Sequence, residues 1–229
     1  MSQKTRSEQA DAQNRSSRTS LIAAAIVVMV LGLVAATLFY QNDNAQSVSE
    51  EAEARQAALA SVHSPTLGDA DAKVHIVEFL DPACETCALF YPMVKQWMAE
   101  VPGEIRLSVR HVAFHSGADY AVRVLEASRR QDKYWETLET LLATQSQWTQ
   151  HHQVQADKIA PAIASVGLDM EQLMIDMNAM DVLLRIEQDK KDAVLLKVSA
   201  TPEYYVNGRP LPSFGQQQLA NLIREELQK

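Results

Sequence analysis

Cys84 and Cys87 are the only cysteines in the 229-residue chain, and Glu85 and Thr86 separate them in the stretch EFLDPACETC that begins at Glu78. Two sulfurs three positions apart can form a static bridge, half of a metal site, or a redox pair that passes electrons by thiol–disulfide exchange. A static bridge across so short a loop removes little chain entropy. A zinc site needs about four ligands. His111, His115, His151 and His152 are the candidates to complete one, and their spacing matches no ligand pattern. Met170, Met174, Met177 and Met180 have thioethers suited to Cu(I), but their spacings of four, three and three are those of a packed helix face. A copper- or zinc-binding module built on Cys84, Cys87 and Met or His residues is therefore an alternative to redox exchange, and the weaker one.

Exchange needs a thiolate, and a free cysteine with a pKa of about 8.5 is mostly protonated at neutral pH. The elements around the pair supply what is missing. Val74–Leu80 (VHIVEFL) reads as a buried strand ended by Asp81-Pro82, and Ala83–Glu100 has helical periodicity, with Leu89, Phe90, Met93, Val94 and Trp97 on one face. Pro92 falls inside this helix, where it is expected to kink it. Cys84 thus stands at a helix N-terminus, where free N–H groups and the macrodipole favour negative charge. Cys87 lies one turn deeper on the same side. Cys84 is expected to attack or be attacked first, and Cys87 to resolve the mixed disulfide.

A second strand is expected at Ile105–Val112. Residues 117–198 follow as a helical block, with helices near 118–130, 132–145, 154–166 and 169–197, the last broken near Asn178. A short strand at Glu203–Val206, the hairpin signal Asn207-Gly208 and a returning strand at Arg209–Leu211 precede a closing amphipathic helix, Gln216–Gln228. The class is α/β. Trp97, Trp135 and Trp148 read as packing residues, and His115 as a residue near the rim of the active site.

The order of these elements resembles the thioredoxin superfamily, and in particular its DsbA-like thiol:disulfide oxidoreductases, over roughly residues 66 to 227. The C-x-x-C follows a strand and opens a helix, Glu78 sits six positions before Cys84, Pro92 lies eight after it, and Thr201-Pro202 precedes the last hairpin. The helical block resembles the insertion of DsbA-like proteins. The resemblance implies a thioredoxin-like fold with a helical insertion. It further implies a proton-transfer role for Glu78 toward Cys87, and a cis-proline at Pro202 facing the cysteines, with the Thr201 backbone offered to an extended substrate segment. No bound cofactor is implied, since the redox-active Cys84–Cys87 disulfide carries the electrons. The expected partners are protein substrates with thiols or disulfides and a membrane redox partner that recharges the pair.

Glu85 and Thr86 are read as redox tuning. A carboxylate beside the Cys84 thiolate raises the thiol's pKa and favours the disulfide, and a Thr86 hydroxyl bond partly offsets it. The expected Cys84 pKa is below about 8.5 but well above the roughly 3.5 of DsbA, giving a moderate oxidant. Reductase or isomerase work on the same fold is the alternative.

The net charge of -8, from 21 basic and 29 acidic residues, comes without a Lys/Arg run and argues against nucleic acid. Residues 1–20 are polar with Lys4, Arg6, Arg15 and Arg18. Leu21–Tyr40 then runs 20 residues without a charge, long enough to span a bilayer as a helix and longer than the apolar part of a signal peptide. Acidic residues follow it. The basic flank is expected to stay in the cytoplasm, which places the remainder in the periplasm of a bacterial inner membrane, where disulfides persist. The expected organisation is a cytoplasmic tail (1–20), a transmembrane anchor (21–40), a linker (41–66) and a thioredoxin-fold domain (67–229).

Overall fold

The apolar strand at Val74–Leu80 becomes the centre of a five-stranded sheet in the computed structural model, which describes residues 29, 32–34, 36–43, 45–151 and 153–229. The chain divides into two units that meet in sequence at Ala54 and Arg55. In the first, the described residues are helical and exposed. The expected tail 1–20 lies outside the described residues, as does much of the expected anchor 21–40. Among those described, no helix is long and apolar enough to cross a membrane.

The second unit opens with helical residues 55–59 (α1) and continues through β1 (Thr66–Leu67), β2 (Val74–Leu80), α2 (Glu85–Glu100) and β3 (Ile105–His111). Next come α3 (Ala118–Ser128), α4 (Tyr134–Ala143), α5 (Gln145–Trp148), a small hairpin of β4 (Thr149–Gln150) and β5 (Gln153–Val154), α6 (Ala156–Ala162), α7 (Met170–Asp176) and α8 (Met180–Leu196). It closes with β6 (Glu203–Val206), β7 (Arg209–Pro210) and α9 (Gln216–Leu227). The sheet order is β1-β3-β2-β6-β7, with β2 and β3 parallel and the remaining pairs antiparallel.

Strand β2 is buried on both faces, so its alternation divides the core. Val74, Ile76 and Leu80 face the larger cluster, with Phe90 and Val94 of α2, Leu125 of α3 and Leu222 of α9. Val77 and Phe79 face a smaller cluster with Ala193 and Leu196 of α8 and Tyr205 of β6. Glu78 lies in register with Tyr204 across the β2–β6 pair, which puts both side chains on the face of the larger cluster. The turn that joins β6 to β7 has positive φ at both Asn207 (48°) and Gly208 (78°), as a two-residue hairpin requires. Asn207 fastens it to the start of β2, its Oδ1 accepting from the His75 N–H at 2.8 Å.

Four expectations need correction. The linker does not extend to residue 66, because Arg55 donates to the Leu195 carbonyl, Ala58 is buried and β1 pairs with β3. On α2 the buried stripe is Cys87, Phe90, Tyr91 and Val94, whereas Leu89 is exposed, because the core lies about one position round from the face chosen. The methionines do not share one packed face: α7 ends at Asp176 and α8 begins at Met180, which leaves Met177 buried but Met174 and Met180 exposed. The block from 117 to 198 also contains the β4–β5 hairpin, where a helix was expected from 154.

Candidate active site

Asp81 and Pro82 end β2, and the chain reaches the N-cap of α2 at Cys84 (φ -79°, ψ 117°). Asp81 builds this corner. Its carbonyl accepts from the Cys84 N–H at 3.0 Å, and its Oδ1 accepts from the Ala83 N–H at 2.8 Å, closing a local Asx turn. Its Oδ2 accepts from the N–H groups of Phe114 and His115 and pairs with His115 Nδ1, each at 2.8 Å. The corner is thereby tied to the loop that leaves β3. From the helical block, Gln145 Nε2 donates to the Pro82 carbonyl at 2.8 Å.

The two sulfurs are unbridged, Cys84 at 6% exposure and Cys87 at 0%. The Cys84 pKa is lowered to about 5, first by a hydrogen bond from the Cys87 thiol. Burial works against this, and the Thr201 side chain and the backbone N–H groups of Cys87 and Thr86 add to the lowering. Those N–H groups occupy the second and third positions of α2, so their dipoles favour the charged form of the Cys84 sulfur at the N-cap. Thr201 acts in two ways, since its carbonyl also accepts from the protonated Cys84 thiol at 3.3 Å. The Cys87 thiol is pushed far above its ordinary value by burial, then by donating to Cys84 and by the charges of Glu78 and Cys84. One helical turn therefore separates a thiol that ionises readily from one that holds its proton.

The expected tuning by the intervening pair takes a different form. Thr86 acts through its backbone N–H, and Glu85 is exposed. The reason is geometric. At the first helical position Glu85 points to solvent, where water screens its charge.

Glu78 is fully buried beneath the pair. Burial raises its pKa to about 8, opposed by the Tyr204 hydroxyl, which donates to Oε1 at 3.0 Å, and reinforced by the charge of Cys84. Among the described residues its Oε2 has no hydrogen-bond partner. The Thr201–Pro202 peptide bond is cis. Beside it opens a cavity of about 380 Å³ lined by Thr86, Thr201, Pro202, Tyr204, Leu211 and Phe214. Phe214 is half-exposed and packs on Phe90, with ring centroids 4.9 Å apart.

Cys84, Cys87, Glu78, Thr86, Thr201 and Pro202 therefore converge on one site. His115 reaches the corner through Asp81. Pro92 lies inside α2, five positions beyond Cys87. Of the metal-site candidates, His111 is buried against the Tyr134 hydroxyl at 2.8 Å, and His152 lies outside the described residues. Asp81, Gln145 and Tyr204 escaped the sequence reading. Tyr204 left no local signal, because its register against Glu78 comes from the pairing of two strands 126 positions apart.

A C-x-x-C at a helix N-terminus, with a cis-proline peptide beside it at the same end of a mixed sheet and a buried acid beneath it, defines a thioredoxin-fold protein. Residues 60–225 match the family described as Thioredoxin, and the chain belongs to it. It resembles the crystal structure of a thioredoxin-like oxidoreductase from Silicibacter pomeroyi with a TM-score of 0.66 and 28% identity, over 76% of this chain and 98% of that one. It is 24% identical to the thiol:disulfide interchange protein DsbA of Bordetella parapertussis, over 85% of this chain and 86% of the relative. It is also 30% identical over 144 residues to the Na(+)/H(+) antiporter NhaA of Herminiimonas arsenicoxydans, covering 63% of this chain and 22% of the antiporter. The chain thus spans about a fifth of the length of that antiporter.

Proposed function

We propose that the chain is a thiol:disulfide oxidoreductase that exchanges disulfides with protein substrates through Cys84 and Cys87. The observation that carries this reading is the division of labour within one turn of α2: Cys84 stands at the N-cap with its pKa lowered to about 5, while Cys87 is buried and keeps its proton. A low thiol pKa stabilises the reduced form and makes the disulfide a better oxidant. A value between those of free cysteine and DsbA supports a moderate oxidant.

In the oxidising direction a substrate thiolate attacks Cys84 Sγ, the Cys84–Cys87 bond breaks, and Cys87 leaves with a proton from the Glu78 carboxyl. A second substrate thiolate attacks the substrate sulfur of the mixed disulfide, and Cys84 departs as a stabilised thiolate. Two electrons pass from substrate to chain. Of the two thiol protons the substrate loses to solvent, one returns through Glu78 to Cys87. The cavity beside Pro202, with Thr201 at its edge, offers an extended substrate segment a place to lie.

The charge pattern around Leu21–Tyr40 supports an inner-membrane anchor, with the cytoplasmic tail at 1–20 and the catalytic domain in the periplasm. A membrane redox partner would then restore the disulfide. Under this reading, purified protein oxidises a reduced model substrate or reduces insulin. Cys84→Ser abolishes turnover, and Cys87→Ala accumulates a substrate disulfide on Cys84 that a reductant releases. Full activity of Cys84→Ser would overturn the proposal.

A further inference from the structure

Glu78 is fully buried, yet only one of its two carboxylate oxygens is held. The Tyr204 hydroxyl donates to Oε1 at 3.0 Å, while Oε2 has no hydrogen-bond partner among the described residues. Tyr204 is itself fully buried, sits opposite Glu78 in the β2–β6 register, and is stacked on Phe90 with centroids 6.2 Å apart and planes 30° apart. The other face of this arrangement meets the cavity beside Pro202, whose wall includes Tyr204. A buried carboxyl with one donor and one free oxygen is poorly solvated when charged, and a single hydrogen bond then weighs heavily.

We propose that Tyr204 is a positioning residue for proton transfer: its hydroxyl fixes the Glu78 carboxyl by Oε1 and leaves Oε2 free to take the Cys87 proton. The inference rests on the reading of Cys87 as the resolving cysteine and Glu78 as its proton acceptor. In the step concerned, the Cys87 S–H bond breaks and the proton passes to the Glu78 carboxylate. The Cys87 thiolate then attacks Cys84 Sγ of a mixed disulfide, the Cys84–Cys87 bond forms, and the partner leaves as its thiolate. The chain is oxidised and the partner reduced.

The titratable groups that face Glu78 are few. Tyr204 comes from β6, and Cys84, Cys87 and Tyr91 come from α2. Tyr91 is held by Glu139, to which its hydroxyl donates at 3.2 Å. Tyr204 is the group whose hydroxyl is bonded to the Glu78 carboxyl. A phenol donating to a carboxylate favours the charged form, so its removal makes Glu78 harder to ionise.

The test uses the aromatic disulfide DTNB on the reduced full chain by stopped flow. Attack by Cys84 releases one coloured thiolate, and attack by Cys87 on the resulting mixed disulfide releases a second. The second phase is expected to rise with pH through an inflexion that Glu78→Gln removes. Tyr204→Phe keeps the ring on Phe90 but removes the donor. It should move that inflexion upward by about one unit, so that below it the second phase slows roughly tenfold while the first phase changes little. In the Glu78→Gln background, Tyr204→Phe should have no further effect on the profile. A fluorinated tyrosine placed at 204 is a stronger donor and should move the inflexion down, which covers the case of a poorly folding phenylalanine variant. If Glu78→Gln removes the inflexion but neither change at 204 moves it, the role of Tyr204 is overturned and that of Glu78 stands. If the inflexion survives Glu78→Gln, both fall.

Discussion

Two buried clusters of charge lie on adjacent strands, and they have opposite fates. Arg110 of β3 is fully buried between α1 and α8, and its guanidinium donates to Asp189, Asp192 and the Ala58 carbonyl. Asp189 also accepts from His63 Nε2 and from the His111 N–H, each at 2.8 Å, and the second oxygen of Asp192 accepts from Gln188. Every oxygen of both carboxylates has a donor. Burial pushes the Asp189 carboxyl up, but the hydrogen bond from His63, the charge of Arg110 and the His111 N–H outweigh it, and the group ends below the usual carboxylate range. Glu78, one strand away on β2, meets the same burial with a single donor and ends at about 8. Burial alone does not decide whether a buried acid is held charged or neutral; the donors and the charges around it do.

The sharpest way to break this comparison is to starve the saturated cluster. Arg110→Ala leaves two buried carboxylates without their cation, a change that costs on the order of 3–5 kcal/mol. Urea unfolding of the reduced protein should show that loss, and the segment from Arg55 to His63 should become accessible to proteases, since it is tied down through Ala58 and His63. The rate at which Cys84 is alkylated at saturating pH should be unchanged. A variant of wild-type stability would mean that this network holds nothing.

The next effect is smaller and depends on pH. The Glu78 pKa is raised from 4.5 to about 8, so its contribution to stability is fully present below 4.5 and is lost as pH rises through 8. The Cys84 pKa is lowered from 9.0 to about 5, so its contribution is fully present above 9 and is lost as pH falls through 5. Between pH 5 and 8 the two slopes oppose each other, each up to about 1.4 kcal/mol per pH unit. Reduced wild-type protein should therefore show little net dependence from this pair in that window. Glu78→Gln should unmask a rise in stability with pH, and Cys84→Ser a fall. Equal curves for all three proteins, measured by denaturant midpoints, would remove the opposition.

What could be read from the chain alone divides along the same line. The α/β class, the strand before the cysteines, the Asn207-Gly208 hairpin and the break near Asn178 depend on local periodicity and turn chemistry, and these are visible in short windows. Glu78 falls inside VHIVEFL, the stretch read as a buried strand. Partners were the hidden part. Tyr204 meets Glu78 across 126 positions, Gln145 meets Pro82 across 63, and Arg110 meets Ala58 across 52. Single side chains reaching that far leave no periodic trace. For the same reason residues 55–66 read as a polar linker: their anchors are Leu195, Asp189 and Arg110, all remote in sequence.

Glu85 is where nearness in sequence and exposure in the fold point to different outcomes, and it supplies the smallest effect. A carboxylate next to a nucleophilic cysteine suggests repulsion, but only if its charge lies near the sulfur in a poorly screened medium. Glu85 is exposed at the first position of α2, whereas Cys84 faces Cys87, Thr201 and the N–H groups of Thr86 and Cys87. A surface charge of this kind is screened by water and salt. Glu85→Gln should therefore leave the Cys84 pKa, followed by iodoacetamide alkylation against pH, within about 0.3 units of wild type at physiological ionic strength. Thr201→Val removes a hydroxyl that helps to lower it and should raise it visibly under the same conditions. The reverse ranking would return the redox tuning to the residues between the cysteines and take it from the fold that surrounds them.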